Sequence, residues 1–132
     1  MLSLIAKDAE QVVVGVDDDF RIREAITSLV ESAGYASRVF SSAEEFLQSG
    51  TLAGTNCLIT DVRMSGMDGI ELQRRARLVR PELPIIFISA HRDDDIRQQA
   101  LDGGAVDFMF KPFDAAGLLG VIDRALKQST ND

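Results

Sequence analysis

Short apolar runs alternate five times with longer stretches of helical period along this chain. Val12, Val13, Val14, Gly15 and Val16 form the first run. Behind it Phe20, Ile22, Ala25, Ile26, Leu29, Val30 and Ala33 recur at three- and four-residue steps, with Gly34 placed to end a helix. Ala36 to Phe40 is a weaker strand. Ser41 and Ser42 stand three residues before Glu44 and Glu45, the spacing of a capping box, and predict a short second helix. Asn56 to Thr60 is the third strand, and Ile70, Leu72, Ala76, Leu78 and Val79 support a helix stopped by Pro81. Ile85 to Ile88 is the fourth strand. Asp93, Asp94 and Asp95 crowd a fourth helix start, where carboxylates complement the positive end of the dipole, and Gly103 with Gly104 ends it. Ala105 to Phe110 is the fifth strand, and Asp114 caps a last helix carrying Leu118, Leu119, Val121, Ile122, Ala125 and Leu126. Gly117 and Gly120 weaken that helix by about 1 kcal/mol each relative to Ala, for no reason visible in the sequence.

Strands that are apolar along their whole length belong to a sheet covered on both faces, and right-handed crossovers then give a parallel doubly wound α/β domain. In such a sheet the crevice lies at the carboxyl ends of the strands, which directs the search for chemistry to the residues just after each strand. The 132 residues suit one domain. It is expected over 11–127, with an N-terminal extension at 1–10 and a polar tail or start of a linker at 128–132. A net charge of −7 argues against direct nucleic-acid binding and against anionic lipid. No apolar run approaches the ~18 residues of a membrane span, and Met1 to Ala6 is too short for a signal-peptide core. A cytoplasmic location is expected, where lone Cys57 is a small buried hydrophobe.

The strand exits are unusually polar. Asp17, Asp18 and Asp19 follow the first strand, Asp61 follows the third, Ser89 closes the fourth, Asp107 lies inside the fifth, and Lys111 with Pro112 closes it. If the first and third strands are neighbours, Asp17, Asp18 and Asp61 converge. At ~5 Å and an effective dielectric of ~20 each like-charge pair costs about 3 kcal/mol, so three ionised carboxylates oppose folding by roughly 10 kcal/mol. One lysine does not offset that; a hard divalent cation does. An all-oxygen set suits Mg²⁺ better than zinc, for which one His and one Cys are too few. A carboxylate beside such an ion, with an ammonium and a hydroxyl opposite, is equipment for phosphoryl transfer to aspartate. Singly, these residues are helix caps, turn formers and a solvated lysine; together, in this order, they point to one pocket.

Four segments resemble the receiver domain of two-component response regulators: VDDD at Val16 to Asp19, TDVRMSGMDGIEL at Thr60 to Leu72, FISAH at Phe87 to His91 and FMFKPF at Phe108 to Phe113. The resemblance runs from Val12 to about Leu126. It implies a CheY-like sheet in the order 2-1-3-4-5 and a signalling domain, not a turnover enzyme. Asp61 is then the phosphoacceptor. Asp17, Asp18, Asp61 and the main-chain carbonyl of Arg63 hold Mg²⁺, or Mn²⁺, with Asp18 the more direct ligand of the acidic pair and Asp19 a bystander. Ser89 engages the phosphoryl group and Lys111 pairs with it. Phe108 corresponds to the aromatic that changes rotamer with the hydroxyl, against a plain reading as an edge-strand aromatic. Arg63 and His91 occupy positions where receivers vary their dephosphorylation rate, although a solvated loop residue is the better reading of a lone His.

The implied partners are a sensor histidine kinase or phosphotransfer protein and, on phosphorylation, a second copy or an effector docked on the fourth helix, fifth strand and fifth helix. TDVRM and GAVDFMFKPF resemble receivers that precede LuxR-type helix-turn-helix output domains, which implies transcription regulation by a longer parent. Ser65 stands where the family usually has proline, and this leaves the loop after Asp61 less rigid. The competing reading is a haloacid-dehalogenase-type phosphatase using Asp17 and Asp19 as nucleophile and acid/base. It lacks room for a cap, and Phe20 and Arg21 do not continue that family's pattern. A dinucleotide fold needs a Gly-rich turn where this chain is acidic.

Overall fold

A computed structural model describes residues 10–130, with side chains through Lys127. The elements in order are β1 (Val12–Val16), α1 (Phe20–Ser32), β2 (Ala36–Phe40), α2 (Ala43–Gln48), a 3₁₀ turn (Thr51–Gly54), β3 (Cys57–Asp61), α3 (Gly69–Val79), β4 (Ile85–Ser89), α4 (Asp94–Asp102), β5 (Asp107–Phe110) and α5 (Ala115–Thr130). The five strands form one parallel sheet in the order β2-β1-β3-β4-β5.

Successive strand residues face opposite sides of the sheet, and each side is packed by helices. Val14, Val16, Leu58, Ile85 and Phe87 meet Ala43 and Phe46 of α2, Leu72 and Ala76 of α3 and Ala100 of α4. On the other side Val13, Cys57, Ile59, Ile86 and Ile88 meet Ile26 and Val30 of α1 and Leu118, Ile122 and Ala125 of α5. The central strands β1, β3 and β4 therefore carry apolar residues at nearly every step because both their faces are interior.

Carboxylates and hydroxyls start the helices, at Ser42 and Asp93 as expected and also at Asp19 and Asp68. Asp19 accepts from Arg21 N, Ser42 from Glu45 N, Asp68 from Glu71 N, and Asp93 from Asp95 N and Ile96 N. The capping box closes when Glu45 reaches back to Ser41 N at 2.9 Å. Beyond α1 and α4 the chain turns through Gly34 (φ +90°) and Gly104 (φ +98°), a region only glycine enters freely.

Four boundaries differ from expectation. β3 begins at Cys57 and ends at Asp61, one residue later at each end than the predicted strand, because Asp61 pairs with Ile88 while the Asn56 side chain accepts from Val12 N at 2.8 Å. β4 extends one residue further, through Ser89. β5 begins at Asp107 instead of Ala105, whose N–H is taken by Ala100 O behind α4. The 3₁₀ turn has no periodic signal; Arg80 gathers the carbonyls of the turn and of the residue after it, donating to Leu52 O at 3.0 Å and Thr55 O at 2.7 Å. α5 runs through Thr130, into the segment the sequence marks as tail. Residues 131–132, and 1–9 of the expected extension, lie outside the described residues. Gly117 N donates to Asp114 Oδ2 at 2.8 Å, within the cap of α5; nothing in the structure explains Gly120.

Candidate functional site

The parallel order sets the ends of β1 and β3 side by side, with Val16 opposite Thr60, so Asp17 follows β1 next to the Asp61 that ends β3. Ligand-capable atoms of Asp17, Asp18 and Asp61 lie within 4.8 Å of one another. Asp17 is fully buried, Asp61 nearly so, and Asp18 is exposed. The side chain of Asp61 is fixed at both oxygens: Val62 N donates to Oδ1 at 2.7 Å and Lys111 Nζ to Oδ2 at 3.1 Å.

Lys111 reaches this pocket from just beyond β5, its main-chain N–H donating to Ser89 O at 2.8 Å. Its ammonium also lies 2.9 Å from Asp17 Oδ2. That approach is an ion pair with poor hydrogen-bond directions, and Asp17 Oδ2 is a buried oxygen with no hydrogen bond. Burial pushes the pKa of Asp17 above the ordinary carboxylate value, against the pull of Lys111. Burial also works against the Lys111 ammonium, but the Asp17 and Asp61 carboxylates outweigh it and raise its pKa. Three carboxylates share one cation, leaving the pocket with excess negative charge.

Those features fit a hard cation: oxygen donors only, a buried oxygen without a hydrogen bond, and unbalanced negative charge. The Arg63 carbonyl, which accepts no hydrogen bond among the described residues, is open to the same use. Gly69 is required at the end of this loop, since any Cβ there would strike the carbonyl of Asp61.

The other predicted residues divide. Ser89 is buried at the end of β4, but its hydroxyl is occupied with the next loop: His91 N donates to it at 3.1 Å and it faces His91 O at 3.2 Å. His91 contributes main chain to this arrangement and its ring is at the surface. Phe108 is buried, stacked on Phe87 at 5.9 Å and edge-on to Phe110 at 5.6 Å, so it faces the interior. Arg63 is exposed and pairs with Asp93 across 3.6 Å. Asp107 is not part of the pocket; it lies 3.7 Å from Arg124. Asp19 is spent on the cap of α1 and on Arg21, which holds its pKa low. This removes the acid/base partner that the phosphatase reading needs.

Residues 13–123 match the model of the response regulator receiver domain. The chain belongs to that family. It is a signalling domain of two-component systems. It is 45% identical over 120 residues to the response regulator protein TmoT of Ectopseudomonas mendocina, covering 91% of this chain and 54% of that protein. The transcriptional regulatory protein FixJ of Bradyrhizobium diazoefficiens is 36% identical over 114 residues, 86% of this chain and 56% of FixJ. Among solved structures, the response regulator StyR superposes with a TM-score of 0.85 at 37% identity, covering 93% of this chain and 62% of that one. This receiver therefore spans about half the length of the curated relatives it matches. The phosphatase alternative has no support in these likenesses. Among the described residues no helix is long and apolar enough to cross a membrane.

Two residues bearing on the pocket escape sequence reasoning. Glu44 reads as part of a capping box, yet its carboxylate accepts from Met67 N in the loop after β3. Asp93 reads as a helix cap, which it is, but it also faces Arg63. Both are pairings across more than twenty residues, which no local pattern announces.

Proposed function

We propose that Asp61 takes a phosphoryl group from the phosphohistidine of a sensor kinase or phosphotransfer protein, with Mg²⁺, or Mn²⁺, in the pocket. The observation that carries this reading is the single Lys111 ammonium spanning Asp17 and Asp61 at 2.9 and 3.1 Å, with Asp18 at the pocket mouth. Asp17, Asp18, Asp61 and the Arg63 carbonyl would hold the cation, whose charge would offset that of the approaching phosphoryl oxygens. An Asp61 carboxylate oxygen attacks phosphorus as the P–N bond to imidazole breaks, and the leaving imidazole is protonated from solvent. The Val62 N–H and Lys111 hold Asp61 in one orientation for that attack. Phosphorylation replaces the single carboxylate charge with a phosphoryl group carrying up to two, at a point that Lys111 already faces.

The Ser89 hydroxyl then exchanges His91 for a phosphoryl oxygen, and Phe108 follows it. That exchange is the differential contact that shifts the population of surface states at α4, β5 and α5. The shifted surface binds a second copy or an effector. The parent protein acts in the cytoplasm and controls transcription through a further domain, a reading supported by the names of relatives such as FixJ. Arg63 and His91 set the lifetime of the phosphoryl group.

Intact mass after incubation with a small acyl phosphate and Mg²⁺ tests the reading. The native chain gains ~80 Da, labile to hydroxylamine, and Asp61→Asn gains nothing. An adduct that survives Asp61→Asn overturns it. Sedimentation of the same sample tests the surface: a phosphorylated form that stays monomeric at every concentration argues against the homodimer.

A further inference from the structure

The segment from Val62 to Asp68 has little internal structure to hold it. One main-chain bond closes it, Gly69 N to Val62 O at 2.8 Å, and Ser65 leaves free a φ that proline would restrict. Two acidic side chains from other elements grip it instead. Glu44, in the first turn of α2, accepts from Met67 N at 2.8 Å and its carboxylate lies against Gly66, where a Cβ would run into it. Gly66 has φ +80°, so glycine is favoured there for its backbone, and a Cβ at that point would push the Glu44 carboxylate aside. On the opposite side Asp93 divides its carboxylate: Oδ1 accepts from Asp95 N and Ile96 N at the start of α4, and Oδ2 faces Arg63 Nη2 at 3.6 Å.

We propose that Glu44 and Asp93 are positioning residues that clamp the loop 62–68 from its two sides, holding the Arg63 carbonyl and the carboxylate of Asp61 in register for a divalent cation. This rests on the phosphoacceptor reading above. Glu44 is the stronger tie, since it fixes main chain through a charge-assisted bond, whereas the Arg63–Asp93 pair is exposed and longer. The bond from Met67 N also lowers the pKa of Glu44. Asp93 has a second consequence: the same side chain that begins α4 pairs with the residue whose carbonyl would serve the cation, so one carboxylate links the loop to α4.

The test measures Mg²⁺ affinity of the unphosphorylated chain by calorimetry, the Mg²⁺ dependence of phosphorylation by a small acyl phosphate, and amide exchange at 62–68. Glu44→Ala is expected to raise the dissociation constant and the half-saturating Mg²⁺ together by about three- to ten-fold, as loss of one main-chain anchor implies. The limiting rate at saturating Mg²⁺ changes less, and Met67 exchanges faster. Glu44→Gln, whose amide oxygen still accepts, restores near-native affinity. Glu44→Asp keeps the charge but withdraws it by one methylene and must behave like Glu44→Ala, which answers the question should the alanine variant fold poorly. Asp93→Asn keeps the α4 cap and loses the pair to Arg63, with an expected two- to five-fold weakening, about the most an exposed ion pair supplies. If the native chain accepts phosphate while all the Glu44 variants bind Mg²⁺ as it does, the clamp is wrong and the phosphoacceptor reading stands. If the native chain neither binds Mg²⁺ nor accepts phosphate, the reading itself fails.

Discussion

β3 and β5 both deliver a charged group to the same pocket, but from different surroundings. β3 is bonded on both sides, to β1 and β4, and all five of its residues are buried, Asp61 included. β5 has only β4 beside it, and of its four residues only Phe108 is buried. Asp61 is thus the last rung of a strand that cannot shift without breaking two ladders, whereas Lys111 follows an edge strand held from one side. The proposed phosphoacceptor thus ends a central, fully buried strand. Of the groups proposed to answer to a phosphoryl oxygen, Lys111 and Phe108 belong to the edge strand and its exit, where a displacement disturbs fewer contacts, and Ser89 ends the neighbouring strand β4.

Core truncation gives this contrast its largest expected effect. Ile59→Ala in β3 removes a fully buried side chain packed between α1 and α5, and is expected to cost about 2–5 kcal/mol. Met109→Ala in β5 empties a half-buried position against the same cluster and should cost about half as much. Urea unfolding of both variants measures this, and equal losses would show that the edge strand is as tightly set as the centre.

A smaller effect, of opposite sign, is expected at the pocket. Asp17 is buried with an oxygen that has no hydrogen bond, and burial holds its pKa above the ordinary value, so its charge at neutral pH opposes folding when no cation is bound. Asp17→Asn leaves Lys111 paired with Asp61, so no buried charge is stranded. The metal-free variant should be more stable than the native chain by about 1–2 kcal/mol, and added Mg²⁺ should stabilise it less than it does the native chain. A variant destabilised without Mg²⁺ would mean that the Lys111 contact outweighs the burial of Asp17.

The same contrast explains what could be read from the sequence. The central strands announce themselves because every position is apolar, and Asp17, Asp61 and Lys111 stand out because charged residues end those runs. The pocket residues that the edge and loops supply are harder to place. Asp107 looks equivalent to Asp61 by its position in a strand, but in an edge strand its side chain has solvent and Arg124 available, so nothing forces it into the crevice. Ser89 was identifiable as a hydroxyl at a strand exit, yet its engagement with His91 depends on a loop conformation that no periodicity encodes. The ties from Glu44 and Asp93 are invisible for the same reason: each residue already has a complete local explanation as part of a helix start.

Alkaline titration separates centre from edge by the smallest amount. Cys57 begins β3 with no exposed surface, and burial pushes its thiol up to about 12. Tyr35 lies just before β2 at the other edge of the sheet; its hydroxyl donates to Asp123 Oδ1 of α5 at 2.6 Å, and that bond raises its pKa to about 12. Both folded pKa values lie above the unfolded ones, so both contributions are complete below the unfolded values and are lost as pH rises through about 12. The unfolded thiol ionises first, so the loss begins near pH 9 and reaches about 1 kcal/mol by pH 10. Cys57→Ala should flatten the fall in stability between pH 9 and 10. Tyr35→Phe should leave that interval steep and act only at higher pH, because the phenol starts to ionise a unit later in the unfolded chain. Stability curves that respond to Tyr35→Phe at pH 9 and ignore Cys57→Ala would place the less solvated group at the edge and overturn the ranking of the two strands.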